Sequence, residues 1–94
     1  MLRITVTEHP GEERWVLQGR LHKASVPELI STWNASRGRQ SRRLVDLDGV
    51  TSIDKAGEEA LLMMLADGAD MVAGGVYTRH LIEELKARKP SHPK

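Results

Sequence analysis

The sequence predicts one small α/β domain: a mixed sheet of about four strands in the order β-β-α-β-α-β-α, with helices packed mainly on one face. Three observations carry this reading. Apolar and polar residues alternate from Leu2 to Leu21 about a single turn signal. Beyond Leu21, runs of strand character alternate with segments of helical period. Finally, a chain of 94 residues holds one core and not two, with a net stability of roughly 5–10 kcal/mol.

The elements follow in chain order. In "RITVTE", Ile4 and Val6 share one face and Arg3, Thr5 and Thr7 the other, which is a half-buried strand. "HPGEE" is turn chemistry, because Pro10 fixes φ and Gly11 permits φ > 0. "RWVLQGRL" resumes a strand with Trp15, Leu17 and Gly19 on one face, so a β-hairpin spans Leu2 to Leu21. "SVPELISTW" changes period: Val26, Leu29, Ile30 and Trp33 form one helical face. Ser25 and Glu28 have the spacing of a capping box, Pro27 is tolerated in the first turn, and Gly38 is the expected stop. The polar, basic loop "SRGRQSRR" follows.

"RLVDLDGV" is the candidate central strand, with Val45 and Leu47 on one face and Leu44, Asp46 and Asp48 on the other. A buried acid is costly without a donor, so Asp48 and Gly49 are expected at the strand's carboxyl edge. In "VTSIDKAGEEALLMML", Asp54 caps a helix, and Glu58 and Glu59 suit its positive end. At 100° per residue Gly57, Ala60, Leu61, Met64 and Leu65 face inward, while Ala56, Glu59, Met63 and Ala66 face outward. Gly68 ends this helix. "ADMVAGG" is a short strand with Met71 and Ala73 alternating with Asp70 and Val72. "TRHLIEELKAR" is a helix with Thr78, Leu81, Ile82 and Leu85 inward and a Glu84–Arg88 pair at i, i+4. The domain is read as 1–88 and "KPSHPK", 89–94, as a disordered tail.

Composition excludes several classes. There is no Cys, hence no disulfide framework, thiol nucleophile or zinc-thiolate site; that fits a reducing, cytoplasmic setting. A formal net charge of +1 gives no strong pull on nucleic acid. Trp15, Trp33 and Tyr77 are the only aromatics, so stacking platforms for bases are nearly absent. The N-terminus reaches acids too soon for a signal peptide, and the apolar run Ala60 to Ala66 is too short to span a bilayer. His9, His22, His80 and His92 show no metal-ligand spacing. No Ser–His–Asp set or nucleophile–base pair can be assembled from the sequence, so an enzyme ranks last, and no cofactor is expected.

The order of elements, with "GRLHKASVPEL", "LVDLDGVTSIDKAGEEALL" and "GADMVAGG", resembles a STAS domain, the family of anti-sigma-factor antagonists and of the cytoplasmic domains of sulfate transporters. The likeness runs from about Leu2 to Leu85. Its strongest parts are Gly19-Arg20-Leu21 with Pro27-Glu28-Leu29, and Val45-Asp46-Leu47-Asp48-Gly49-Val50-Thr51 leading to Ile53-Asp54-x-x-Gly57. The resemblance implies a small mixed sheet flanked by helices, as in SpoIIAA. In the antagonists the turn reads Asp-Ser-Ser-Gly, and the Ser before Gly accepts a phosphoryl group from a partner kinase. Here it reads Asp54-Lys55-Ala56-Gly57. Ala56 has no oxygen, so the resemblance implies a stand-alone relative that keeps the docking surface and lacks the phosphorylatable Ser. The Asp-x-Ala-Gly form is also similar to STAS components that support lipid-transport ATPases.

The resulting expectation is a non-enzymatic interaction module, not switchable by phosphorylation at Ala56. Thr51, Ser52, Asp54, Lys55, Ala56, Glu59 and Met63 would meet a protein partner, either an anti-sigma factor kinase or a transporter ATPase, with an exposed Met63 as an adaptable contact. An accessory role in lipid or anion transport and a small-ligand or nucleotide-binding regulator stay open as alternatives. Thr51 and Ser52 are weighed as other phosphosites against ordinary local hydrogen bonding. Lys55 and Gly57 at a helix start could hold an anion, but three acids stand beside them. Arg37, Arg39, Arg42 and Arg43 read as a solvated loop rather than a lipid contact. Neither nucleic acid nor membrane insertion is expected, and a homodimer is left open.

Overall fold

The computed structural model describes residues 2–36 and 42–88. The elements are β1 (Leu2–His9), β2 (Glu12–Leu21), α1 (Val26–Ala35), β3 (Arg42–Ile53), α2 (Lys55–Ala66), β4 (Asp70–Val72) and α3 (Val76–Arg88). The strands form a single four-stranded sheet in the order β1-β2-β3-β4. β1 pairs antiparallel with β2, whereas β2–β3 and β3–β4 are parallel, so the sheet is mixed as expected. The expected stop at Gly38 and the tail 89–94 lie outside the described residues.

Pro10 and Gly11, the latter at φ 75°, close the hairpin, and the Gly11 carbonyl accepts the Arg42 N–H at 3.1 Å, tying the hairpin to the start of β3. Trp15, Leu17, Leu21, Val45, Leu47 and Met71 turn to one face of the sheet and are buried there with the inner faces of the helices. The inward residues of α2 and α3 are those the period indicates. Trp15 and Trp33 are both 0% exposed and meet edge to face at 4.9 Å between ring centroids. Truncating either to Ala would cost about 3–5 kcal/mol.

Four local expectations are corrected. Asp48 and Gly49 are not at the edge of β3, which continues to Ile53. Two register shifts in β3 explain how: Val16 pairs with Asp46 but Gln18 with Gly49, and Gly19 pairs with Val50 but Arg20 with Ser52. Each inserts one residue in β3, so Leu47, Val50 and Ile53 all turn inward although three apart. Asp48 is exposed there, and its Oδ1 accepts the Gly74 N–H at 2.8 Å.

The Ser25–Glu28 capping box does not form. Ser25 is already helical at φ −92° and ψ −18°, without a side-chain cap bond, and its hydroxyl donates to the Arg20 carbonyl at 3.3 Å. The Glu84–Arg88 pair also gives way: Glu84 faces His80 at 3.6 Å, and Arg88 reaches Glu58 on α2 at 3.6 Å. Arg42 and Arg43 belong to β3, not to a solvated loop. Arg42 bonds Asp70 on β4 at 2.8 Å. Arg43 lies 4.2 Å over the Trp33 ring and 3.7 Å from Glu13, a buried carboxylate that also accepts the Trp15 Nε1–H at 3.0 Å.

Candidate functional site

The turn between β3 and α2 is built by one carboxylate. Asp54 leaves β3 in extended conformation at φ −94° and ψ −175°. Its Oδ1 accepts the Gly57 N–H at 2.8 Å, the N-cap bond expected from sequence. Its Oδ2 accepts the Lys23 N–H at 2.9 Å, so the same side chain also anchors the β2–α1 loop. Its own N–H donates to the Leu21 carbonyl at 3.2 Å. The Gly57 and Lys23 N–H groups, in that order, hold the Asp54 carboxyl below its ordinary value of 3.8.

Gly57 is required by space. A Cβ built there would lie 2.3 Å from the Leu21 carbonyl oxygen and 2.9 Å from its Cγ. The first turn of α2 thus rests on the end of β2, and the residue before Gly57 is lifted outward. That residue is Ala56, which is half-buried; its neighbour Lys55 is exposed. Glu59 is exposed one turn on. Met63 is not the exposed knob expected: it is half-buried and packs against the core. The outer stripe of α2 is therefore apolar and shallow at Ala56 and Met63, with a carboxylate between them.

Thr51 and Ser52 stand just before the turn. The Thr51 hydroxyl donates to the Gly19 carbonyl at 3.2 Å, the local bonding weighed against a phosphosite. Ser52 Oγ shares a hydrogen bond of 2.8 Å with His22 Nε2. This contact corrects the reading that no nucleophile–base pair exists. The residues are 30 positions apart in sequence and meet because β2 and β3 are neighbours, with Arg20 paired to Ser52. That strand adjacency is the only sequence-level signal that could have found them. Beside the pair, the two Asp54 oxygens each accept a backbone N–H. The contact links the β2–α1 loop to the β3–α2 turn.

The seven expected site residues thus sit on one continuous length, the end of β3, the turn and the outer side of α2. The structure adds His22, the Lys23 backbone and Gly57 as the parts that hold it in shape. Among the described residues no cluster of three or more His, Asp or Glu side chains could hold a metal ion. No helix among them is long and apolar enough to cross a membrane.

No family model matches the sequence, and no curated protein matches it either. Solved structures do match by fold. An anti-sigma factor antagonist from Mycobacterium paratuberculosis superposes with a TM-score of 0.79 at 20% identity, over 100% of this chain and 87% of that one. The unphosphorylated form of the anti-sigma factor antagonist SpoIIAA gives 0.66 at 11% identity, over 86% and 82%. An antisigma-factor antagonist STAS domain from Rhodobacter sphaeroides gives 0.60 at 21% identity, over 81% and 88%. The chain has the SpoIIAA-like STAS fold, in agreement with the fold that the sequence resemblance implies.

Proposed function

We propose that this chain is a regulatory protein-interaction module that works in the cytoplasm without catalysis and docks a kinase-like anti-sigma factor. The contact is the β3–α2 turn and the outer side of α2, with Thr51, Ser52, Asp54, Lys55, Ala56, Glu59 and Met63 on the docking side. The observation that carries the reading is Ala56: it occupies the outward position directly before the spatially obligatory Gly57, in a fold shared with anti-sigma-factor antagonists. A methyl there forms no phosphoester, so affinity is fixed at this position and control passes to protein abundance or to the partner.

The same observation supports a second reading. An alanine at this position also suits an accessory subunit that braces a transporter ATPase, through the same surface. The identity of the captured partner separates the two. The experiment is capture from native lysate on immobilised wild type and on the Glu59→Lys variant, whose exposed side chain supports no core contact. A sigma-regulating kinase held by wild type and lost by the variant, at unchanged circular dichroism, supports the first reading. A transporter ATPase supports the second. Equal capture by both proteins overturns the surface.

A further inference from the structure

We propose that Ser52 is an acylation site: its hydroxyl, with His22 as base and Arg20 as anion holder, takes the acyl group of a small acyl phosphate. Strand pairing brings the three side chains together. Arg20 pairs with Ser52 across β2 and β3, so the two stand on the same face of the sheet. His22 lies two residues beyond Arg20 and returns to that face, where its Nε2 meets the Ser52 Oγ at 2.8 Å. Leu21, between them, points the other way and is buried in the core. The site is therefore on the sheet face away from the helices, at the carboxyl ends of β2 and β3. Ser52 and His22 are half-buried, and Arg20 and Lys23 are exposed beside them.

The two neighbouring hydroxyls are not equivalent. Thr51 donates to the Gly19 carbonyl at 3.2 Å, an acceptor that cannot take the proton. Ser52 instead meets an imidazole nitrogen, and an alcohol within hydrogen-bond reach of such a base is an activated nucleophile. In the neutral ring with its proton on Nδ1, Nε2 accepts the Ser52 O–H. Asp54 favours the charged ring that follows proton transfer. Its carboxyl, lowered first by the Gly57 and Lys23 N–H groups, is lowered further by the charge of His22, and that attraction is mutual.

The cations select the donor. Among the described residues neither the Arg20 nor the Lys23 side chain is held in a salt bridge. A guanidinium fork matches the oxygens of a phosphate, so an acyl donor that carries phosphate as its leaving group is drawn to the nucleophile. The Ser52 Oγ attacks the carbonyl carbon of the donor, and the hydroxyl proton passes to His22 Nε2. The bond from that carbon to the phosphate oxygen breaks, and its electron pair leaves with inorganic phosphate beside Arg20. His22 then returns its proton to the departing phosphate. An ester on Ser52 results, made once and without turnover.

The test treats the full chain with acetyl phosphate and reads each position by peptide fragmentation mass spectrometry. Ser52 should gain an acetyl group well ahead of Thr51. His22→Gln keeps a hydrogen-bonding partner for Ser52 but removes the base, and should slow acetylation of Ser52 about a hundredfold. Acetylation of the exposed Lys86 should be equal in both proteins, which shows that they met the same donor, and circular dichroism should be unchanged. Arg20→Gln should slow the reaction with acetyl phosphate but not with p-nitrophenyl acetate, which is neutral. A Ser52 that stays free, that gains a phosphoryl group in place of an acetyl, or that reacts as fast in His22→Gln as in wild type overturns the proposal. No partner protein enters this assay, so its failure leaves the docking proposal standing, and failure of partner capture leaves this one standing.

Discussion

Gly57 bears the tightest contact of the site. Adding a methyl would drive it to 2.3 Å from the Leu21 carbonyl oxygen, and that oxygen is backbone fixed by its bond from the Asp54 N–H. Alanine gains up to about 1 kcal/mol of helix propensity over glycine, but overpacking of this kind costs about 1–3 kcal/mol, and here the neighbour cannot rotate away. Gly57→Ala should therefore lower the melting temperature despite the better helix former, and a thermal melt checks it. Asp54 acts at the same point through charge. Its folded-state carboxyl is depressed below 3.8 by the Gly57 and Lys23 N–H groups. The stability it contributes is complete above the unfolded value and is lost as pH falls through the lower folded value. The difference in melting temperature between wild type and Asp54→Asn should hold constant from neutral pH to about pH 5 and shrink below about pH 4. The capping role was legible from the position of Asp54 before an apolar helix. Its second bond, to the Lys23 N–H, was not, since it depends on two loops meeting at the end of the sheet.

At the scale of elements, α2 shows how local rules and topology share control. Its inner face follows from period alone. Its end follows from Gly68, at φ 97°, with the Gly68 N–H on the Leu65 carbonyl at 2.9 Å and the Ala69 N–H on the Met64 carbonyl at 3.1 Å. These are the two bonds of a Schellman motif. Gly68→Ala should cost about 1–2 kcal/mol, because an L side chain is strained in the left-handed region, and a denaturation midpoint measures it. What the sequence did not disclose is two-body information. The β3 insertions show only against the register of β2, and the cost of a buried acid, which sets Asp48 at the strand's edge in the sequence, does not apply because Asp48 is exposed within β3. Spacing pairs Arg88 with Glu84, whereas in the fold Glu58 on a neighbouring helix takes it. Arg43 read as a loop charge because nothing in one sequence reveals that Trp33 and Glu13 flank it. Met63 lies on the outer side of α2 by angle, yet the packing of the core reaches far enough round the helix to half-bury it.

At the scale of the whole molecule, the sheet divides labour along its length and across its width. The hairpin, α1 and the Trp15–Trp33 contact form the body. The carboxyl ends of β2 and β3, joined by the His22–Ser52 bond and by both oxygens of Asp54, carry the displayed turn. This joining of two loops to one capped helix makes the turn a fixed shape. The position on which the docking proposal turns is Ala56. An acid placed there lies in the first turn of α2, where the helix dipole tolerates negative charge, so Ala56→Asp should fold normally. It would nevertheless add charge beside Asp54, Glu58 and Glu59, as a phosphoryl group would. The most direct measurement is calorimetric titration of the captured partner with wild type and with Ala56→Asp. Wild type should bind, and the variant should lose affinity by about tenfold or more, roughly 1.4 kcal/mol, at an unchanged melting temperature. Equal affinity for both proteins would contradict the docking proposal.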